Sequence, residues 1–381
     1  MSETVENESV DDDPHDGRIH IAEPDIGSRE RERVDAVLES GMLAAGAEVD
    51  AFEREFAHVA GTDHAIATSN GTTALHAALI GLGIGPGDRV LTTPFSFVAS
   101  ANAARLCGAA PLFADVDPAT FTLDPHAVER TLRREVEVDA LLVVHLYGLP
   151  AKLDHLVELA AEYDLALIED AAQAHGATFR GEPVGSFGDV GCFSSYPTKN
   201  VTTGEGGMIT TDREDVARRA ARFVNHGRPI DGTGAYEHLD VGHNFRLTNI
   251  AAAIGRVQLE KLERYVETRR ANAAFLDAAL ASHPVEPPIE PAYAGHVYHQ
   301  YTVRADDRDG LASHLDANGV DTGVYYPTPI HRLPAYDGDA FDLPVAEAAA
   351  DEVLSLPVHP GLSETDLTTI ETAIQSYEQN D

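Results

Sequence analysis

The sequence predicts an α/β protein: a large domain with a mostly parallel sheet, followed by a smaller C-terminal α+β domain. Short apolar runs alternate with helical patterns up to about residue 245, and this alternation is typical of parallel sheets covered by helices on both faces. The run Ala140–His145 is apolar almost throughout, as expected for a strand buried on both sides. After about residue 245 the pattern changes to a long helix, Ile250–Leu280, and a proline-rich connector, Pro284–Pro291.

The individual elements follow from the spacing of apolar residues and from turn-forming residues. Val34, Val37 and Leu38 recur at helical spacing, which predicts a helix from about Ser28. Pro86–Asp88 is a turn signal that separates a helix from the next strand. The remaining predicted elements are helix Glu48–Val59, strand Ala65–Thr68, helix Ala74–Leu82, strands at Arg89–Thr92, Pro111–Asp115 and Ala140–His145, helix Leu153–Tyr163, and strands Ala166–Glu169, Val190–Ser194 and Met208–Thr211.

These patterns divide the chain into an acidic disordered tail at 1–17, a large domain at 18–245 and a small C-terminal domain at 246–381. The tail is polar and contains Asp11, Asp12 and Asp13, so it lacks the apolar residues needed to bury a core. It also lacks the basic and apolar regions of a secretory signal. No apolar run approaches the roughly 20 residues of a membrane helix. We therefore expect a cytoplasmic protein with no membrane contact.

The charge of the chain excludes some partners and indicates a special environment. The formal net charge is −36, which argues against nucleic acid because phosphate contacts need clustered Lys and Arg. Only three lysines occur, Lys152, Lys199 and Lys261. A large acid excess with scarce lysine favours a halophilic protein, since at about 1 M salt the screening length falls to roughly 3 Å. The alternative is an acidic protein of ordinary cytoplasm.

Cysteine and histidine usage indicates neither a disulfide framework nor a metal centre. The two cysteines, Cys107 and Cys192, each lie beside glycine in an apolar stretch, which favours buried free thiols. The histidines are scattered, and no cluster has the spacing of metal ligands. We expect no bound metal.

The segment Cys192–Gly207 carries the strongest chemical signal. A predicted strand ends in Ser194 and Ser195, and a single lysine, Lys199, follows in a loop that runs into three glycines. Arg cannot replace Lys where an amine must lose its proton and attack a carbonyl. Retention of Lys199 in a chain nearly free of lysine therefore indicates a chemical role, although an ordinary loop lysine remains the alternative.

Two further segments suit the same chemistry. Asp170 ends a predicted buried strand, where its carboxylate could pair with a protonated ring nitrogen; the alternative is a helix N-cap. Gly71 and Thr72 follow another strand and open a helix, a place where free backbone amides suit a phosphate; the alternative is a turn of this kind that binds no ligand. A phosphate cradle, a ring-nitrogen partner and a reactive lysine together are what pyridoxal 5'-phosphate requires.

The sequence also resembles a known family, the DegT/DnrJ/EryC1/StrS aminotransferases that act on nucleotide sugars. The resemblance covers nearly the whole chain, from about Arg18 to Tyr377, and implies a fold of the aspartate-aminotransferase type. The lysine and aspartate motifs are the specific ones, and the others support them. The matching segments are Asn70–Leu75, Thr93–Ala99, Asp115–Asp117, Val144–Gly148, Ile168–Gly176, Lys199–Gly207, Gly242–Arg246 and Leu354–Pro357.

The resemblance implies a role for each matching residue. Lys199 matches the lysine that binds the cofactor as a Schiff base, and Asp170 matches the partner of the pyridine nitrogen. Both are the expected catalytic residues. The other implied cofactor contacts are Gln173 beside the ring hydroxyl, Phe97 stacked on the ring face, and Gly71, Thr72 and Ser194 at the phosphate.

The resemblance also implies a homodimer with shared active sites. Asn244 matches a residue that reaches the cofactor phosphate of the neighbouring subunit. His331 resembles a substrate-side histidine, with a surface or capping histidine as the alternative. Arg228 and Arg246 are candidates for holding the diphosphate of a nucleotide-linked keto sugar. Glutamate is the amino donor that the resemblance implies.

Two alternative functions stay open. A dehydratase or lyase could use the same cofactor, and a minority branch of the family that dehydrates sugars carries His in place of the lysine; Lys199 therefore favours amino transfer. The other alternative is a cofactor-binding sensor or a structural partner that does not turn over.

The charge analysis predicts a stability that depends on salt. We expect the melting temperature to rise steadily as salt is raised from low to molar concentration, because screening weakens the mutual repulsion of the surface carboxylates. Thermal denaturation across a salt series, with a protein of ordinary charge run in parallel, measures this effect. Full stability without added salt would exclude the halophilic interpretation.

Overall fold

A seven-stranded sheet forms the centre of the large domain, with strand order β1-β9-β8-β5-β4-β2-β3. All neighbouring pairs are parallel except those of β9, which runs antiparallel to both β1 and β8. The computed structural model describes residues 17–134, 137–230, 236–336 and 341–377. The sheet confirms the predicted α/β class with a mostly parallel sheet. Its strands are β1 (His64–Thr68), β2 (Arg89–Thr92), β3 (Ala110–Phe113), β4 (Ala140–Val144), β5 (Ala166–Asp170), β8 (Val190–Ser194) and β9 (Gly207–Thr211).

Helices cover both faces of this sheet. Among the described residues, none of the helices combines the length and the apolar character needed to span a bilayer. Predicted helices and strands agree with the observed ones to within a few residues at each end. The helices are α1 (Ser28–Ser40), α2 (Ala47–Ala60), α3 (Gly71–Leu82), α4 (Ala99–Leu106), α5 (Pro125–Leu132), α6 (Leu153–Glu162), α7 (Glu214–Val224), α8 (Asn249–Leu280), α9 (Arg308–Ala317), α10 (Pro344–Glu352) and α11 (Glu364–Gln375).

Strand β4 shows why its segment is apolar throughout. Leu142 and Val144 belong to the hydrophobic cluster on one face of the sheet, whereas Leu141 and Val143 belong to the cluster on the other face. Successive side chains of a strand point to opposite faces. Every position of β4 is therefore a core position, and polar alternation is absent.

A third hydrophobic cluster lies under the antiparallel pair β11 (Tyr301–Arg304) and β12 (Val353–Leu356). Helix α8 contributes to two clusters, since Leu259 belongs to the second and Leu276 to the third. The division of the chain at residue 246 stays a prediction. So does the disordered state of the tail, because all of its residues except Gly17 lie outside the described part of the chain.

Three short strands were absent from the sequence prediction. They form a small antiparallel sheet in the order β10-β6-β7, and each has only two residues. Alternation of apolar and polar residues needs at least four positions to be recognised, so strands of this length leave no signal. They are β6 (Thr178–Phe179), β7 (Glu182–Pro183) and β10 (Ala294–Gly295).

The first residue of β9, Gly207, packs so closely on the turn after β1 that only glycine fits there. A Cβ atom on Gly207 would lie 2.3 Å from the carbonyl oxygen of Asn70. We expect Gly207→Ala to lower the free energy of unfolding by about 1–3 kcal/mol, the usual cost of forcing extra atoms into a packed site. Chemical denaturation measures the change.

Gly85→Ala is the matched control for this substitution. A Cβ atom on Gly85 would approach no heavy atom more closely than the carbonyl oxygen of Cys107, at 3.9 Å. The control should therefore unfold at nearly the same denaturant concentration as the parent protein. Equal stabilities of the two variants would contradict the tight packing of Gly207.

Candidate active site

The predicted site residues gather at one edge of the central sheet. Strands β1, β5 and β8 run in the same direction, so their carboxyl ends meet at that edge. Asp170 ends β5 and Ser194 ends β8, and the turn to Gly71 leaves β1 at the same edge. Open α/β sheets bind ligands in the crevice beyond these carboxyl ends.

Lys199 lies in a loop that is closed at its base. The carbonyl oxygen of Ser195 accepts a hydrogen bond from the Thr203 amide at 3.0 Å, and the Ser195 amide donates to the Gly206 carbonyl at 2.8 Å. At the tip, the Lys199 amide donates to the carbonyl oxygen of Tyr196 at 2.9 Å. These backbone hydrogen bonds hold Lys199 in a tight turn.

The amine of Lys199 is prepared to act as a base or nucleophile. Burial lowers the pKa of Lys199 from 10.5 to about 8, and the nearby charge of Asp170 opposes this shift. Desolvation disfavours the charged ammonium form. Part of the Lys199 amine is therefore uncharged near pH 7, whereas an exposed lysine is almost entirely protonated at that pH.

Asp170 is a buried carboxylate that lacks a full counter-charge of its own. Burial raises the pKa of Asp170, and the Ser100 hydroxyl, the Ala172 amide and the Lys199 charge offset part of the rise. The Ser100 hydroxyl donates to Oδ2 at 2.7 Å, and the Ala172 amide donates to Oδ1 at 3.2 Å. Such a carboxylate gains most from an added cation, such as a protonated ring nitrogen.

Ser100 was not identified from the sequence. It lies in α4 and also shares a hydrogen bond with Ser96, with 2.9 Å between the two hydroxyl oxygens. The spacing of four residues between Ser96, which precedes α4, and Ser100 within it is the only signal that the sequence offered. Serine hydroxyls on helices usually bond to their own backbone, so that signal does not indicate a site.

Glu169 and His145 fix the strand end that carries Asp170. The Ala151 amide donates to Nδ1 of His145 at 3.1 Å, so the ring proton lies on Nε2, which donates to Glu169 at 3.0 Å. Both side chains are fully buried. Three backbone amides, those of Gly185, Phe187 and Gly188, also donate to the Glu169 carboxylate at 2.7–2.9 Å.

Gln173 is positioned by hydrogen bonds at both ends of its amide. Its Oε1 accepts from the Tyr147 amide at 2.6 Å, and its Nε2 donates to the Tyr326 hydroxyl at 3.0 Å. The ring of Tyr326 lies 6.2 Å from that of Phe97, whose side chain is 56% exposed. The structure thus links Gln173 and Phe97 through Tyr326, which the sequence analysis had missed.

The turn into α3 forms the candidate phosphate cradle. Asn70 caps the helix, with its Oδ1 accepting from the Thr73 amide at 2.9 Å, so the amides of Gly71 and Thr72 precede the first intrahelical bond. A Cβ atom on Gly71 would lie 2.7 Å from Cβ of Ser194. The glycine therefore leaves room in which backbone amides and the Ser194 hydroxyl can approach one ligand group.

Asn244, Arg228 and Arg246 converge on Asn225. Asn244 forms a backbone bridge with Asn225, the Arg228 amide donates to the Asn225 carbonyl at 3.1 Å, and Arg246 Nη1 donates to its side-chain oxygen at 2.6 Å. Arg246 also pairs with Thr68 at the end of β1. These residues therefore lie beside the candidate cradle, and Asn244 is exposed.

His331 is the predicted site residue that the structure does not join to the others. It is 4% exposed, its Nε2 lies 2.9 Å from Glu347, and its ring packs against Phe113 at 6.3 Å. The neighbouring Ile330 amide donates to the Pro94 carbonyl at 2.7 Å, which connects this segment to the loop that carries Phe97. Its role on the substrate side stays a prediction.

The residues present fit pyridoxal phosphate at each of its three polar ends. The glycine-lined turn suits the phosphate, the buried Asp170 carboxylate suits the ring nitrogen, and Lys199 supplies an amine with a lowered pKa. The fold and the site together define a pyridoxal-phosphate-dependent aminotransferase.

The chain belongs to the DegT/DnrJ/EryC1/StrS aminotransferase family, whose model matches residues 24–375. It is 39% identical over 366 residues to GDP-perosamine synthase of Caulobacter vibrioides, covering 94% of this chain and 97% of that protein. It is 41% identical over 346 residues to dTDP-3-amino-3,4,6-trideoxy-alpha-D-glucose transaminase of Streptomyces venezuelae, covering 90% of each. These findings confirm the family, enzyme class and cofactor predicted above.

The fold is similar to that of solved aminotransferase structures. The crystal structure of S. venezuelae DesV in complex with a ketimine intermediate superposes with a TM-score of 0.88 at 40% sequence identity. The match covers 92% of this chain and 95% of that one. The similarity confirms the predicted fold type.

The lowered pKa of Lys199 can be measured directly because the chain has so few lysines. In the cofactor-free protein, we expect reductive methylation of Lys199 to reach half its maximal rate near pH 8, since only the neutral amine reacts. Peptide mass spectrometry resolves Lys199 from Lys261, whose pKa is raised from 10.5 by its contact with Glu30 in spite of partial burial. Lys261 is thus an internal reference, and a midpoint for Lys199 near 10.5 would contradict the effect of burial.

Proposed function

We propose that this protein transfers an amino group from glutamate to a keto sugar carried on a nucleotide. The observation that carries the proposal is the meeting of Lys199, Asp170 and the Gly71 turn at one sheet edge, with the amine and the carboxylate both shifted by burial. Relatives that are 39% and 41% identical are named for aminosugar synthesis on GDP and dTDP carriers. Because these names differ in the nucleotide, the proposal leaves the carrier open.

Lys199 and Asp170 divide the proton chemistry between them. When bound, pyridoxal phosphate supplies a ring that accepts the electron pair released as a substrate carbon loses its proton. Lys199 Nζ, neutral in part near pH 7, takes the proton from the donor Cα and returns it on the other side of the transferred nitrogen. The Asp170 carboxylate keeps a proton on the ring nitrogen, because a buried anion stabilises a cation in contact with it.

The other site residues orient the reacting groups. Gln173, held by Tyr147 and Tyr326, presents its amide beside the ring, and Phe97 offers an exposed aromatic face for stacking. Gly71, Thr72 and Ser194 hold the phosphate. His331 and the pair Arg228 and Arg246 complete the proposal on the substrate side, where two guanidinium groups suit a diphosphate.

The active enzyme is proposed to be a homodimer that shares its sites. Asn244 is exposed in the single chain, and nearby Tyr236 and Val241 are 89% and 92% exposed. Large apolar side chains exposed together indicate an interaction surface. The segment would place Asn244 at the cofactor phosphate of the second subunit. A cytoplasmic location and adaptation to high salt belong to the same proposal and rest on composition alone.

The first experiment follows the visible spectrum of the protein purified with pyridoxal phosphate in high salt. We expect a yellow absorption band that glutamate bleaches, and its loss in Lys199→Ala, because no other residue forms the covalent link. A colourless protein that takes up no cofactor would contradict the proposal.

The products separate amino transfer from the alternatives. A dehydratase would yield a deoxy sugar without nitrogen, and a sensor would keep the band but release no product. The matched control is Lys261→Ala, which should keep both the band and the bleaching, since Lys261 binds Asp25 and Glu30 instead of lining the sheet edge.

A further inference from the structure

Two buried serine hydroxyls connect Asp170 to the loop that carries Phe97. The Ser100 hydroxyl donates to Oδ2 of Asp170 at 2.7 Å, and the hydroxyl oxygens of Ser96 and Ser100 lie 2.9 Å apart. The exposed fractions of Ser96, Ser100 and Asp170 are only 4%, 1% and 5%. Ser96 and Ser100 therefore form a serine relay that ends on a carboxylate shielded from bulk water.

The chemistry of the carboxylate sets the direction of these hydrogen bonds. An ionised carboxylate only accepts hydrogen bonds, and a serine hydroxyl has a single proton to donate. Because Ser100 donates its proton to Asp170, Ser96 has to donate to the Ser100 oxygen. Both hydroxyl protons thus point towards the carboxylate, and the bond from Ser96 strengthens Ser100 as a donor. Burial raises the pKa of Asp170, and the hydrogen bond from Ser100 is the largest of the effects that oppose this rise.

Capping of α4 does not account for the contact between Ser100 and Asp170. Helix α4 has Val98 at its N-cap position, with no hydrogen bond from a side chain to the first turn. Serine hydroxyls near helix termini commonly bond to the backbone of their own helix, whereas Ser100 donates to the end of β5. The Ser100 hydroxyl therefore contributes to the surroundings of Asp170 and not to the helix terminus.

The loop before α4 is held on both sides of Ser96. The Ile330 amide donates to the Pro94 carbonyl at 2.7 Å, and the Ser100 amide donates to the Phe97 carbonyl at 3.2 Å. These backbone bonds keep the Ser96 hydroxyl within reach of Ser100. The same loop carries the exposed ring of Phe97, so it would serve the face of the cofactor ring and the ring nitrogen together.

We propose that Ser100, supported by Ser96, is a positioning residue that keeps the Asp170 carboxylate ionised and oriented for the ring nitrogen of the cofactor. Two donors hold the carboxylate before the cofactor binds, the Ser100 hydroxyl on Oδ2 and the Ala172 amide on Oδ1 at 3.2 Å. They replace the water that burial removes from the charged group. The inference rests on the proposed function, since it assigns the serine relay to the same site.

The pKa of Asp170 in the cofactor-free protein measures the effect of the relay directly. Infrared difference spectra across a pH series follow protonated carboxyl groups, and the band that Asp170→Asn lacks belongs to Asp170. We expect Ser100→Ala to raise this pKa by about one unit, because it removes a hydrogen bond that stabilises the ionised form. One hydroxyl leaves less space than the roughly 30 Å³ that a water molecule occupies, so water does not restore the bond. Glu53, whose pKa burial raises to about 7, should titrate at the same pH in every variant.

Two further variants separate the relay from a general effect of losing a buried hydroxyl. Ser96→Ala should raise the pKa of Asp170 by a smaller amount, since Ser100 still donates to the carboxylate. The matched control is Ser355→Ala, which removes an equally buried hydroxyl that pairs with Thr302 at 2.8 Å. This control should leave the pKa of Asp170 unchanged. An unchanged pKa in Ser100→Ala would overturn the proposal.

Bleaching of the yellow band by glutamate tests whether the relay serves the ring nitrogen. We expect the maximal bleaching rate of Ser100→Ala to fall about tenfold, in line with one pKa unit, at an unchanged half-saturating glutamate concentration. A lower rate without a shifted pKa of Asp170, or a shifted pKa without a lower rate, would overturn the proposal. Absence of bleaching in the parent protein would instead contradict the proposed function, while the pKa measurement would still decide on the relay.

Discussion

Burial of an amine and a carboxylate at the same sheet edge is the constraint on which the rest of this structure depends. Burial lowers the pKa of Lys199 and raises that of Asp170, while each charge favours the charged form of the other. Both pKa shifts favour the neutral forms of the two groups, because burial removes the water that would solvate their charges. The surrounding polypeptide has to supply fixed hydrogen bonds instead. A ligand with an aldehyde at one end and a basic nitrogen at the other relieves both groups together.

The surrounding backbone meets this requirement by immobilising the strand ends. Glu169, adjacent to Asp170, accepts from three backbone amides and from His145, which fixes the end of β5 from the opposite face of the sheet. Gly207 allows β9 to pass within contact distance of the turn after β1. The scaffold thus fixes the end of β5 that carries Asp170 and the turn after β1.

The sequence predicted the parts of this arrangement that are local. The order of strands and helices, the reactive lysine and the helix-opening turn each depend on neighbouring residues, and their patterns could be recognised. Contacts made across the fold could not. Ser100 lies 70 positions from Asp170, and Tyr326 lies 153 positions from Gln173, so no spacing in the sequence joins them. His331 shows the converse: its motif could be recognised in the sequence, whereas its contact with the partly exposed Glu347 could not.

The scarcity of lysine gains a structural meaning from the two lysines whose surroundings are best defined. Lys261 Nζ lies 2.6 Å from the carboxylate of Glu30, which is 1% exposed, and Gln258 donates to the same carboxylate at 2.7 Å. A compact ammonium on a flexible stem can reach into such a site, whereas a planar guanidinium needs more room. Lys261 therefore occupies a place where its shape fits a buried acid, and the role proposed for Lys199 needs an amine that can lose its proton. Scarcity of lysine narrows the search for a reactive amine to three positions, and the surroundings of each position then have to separate a structural lysine from a reactive one.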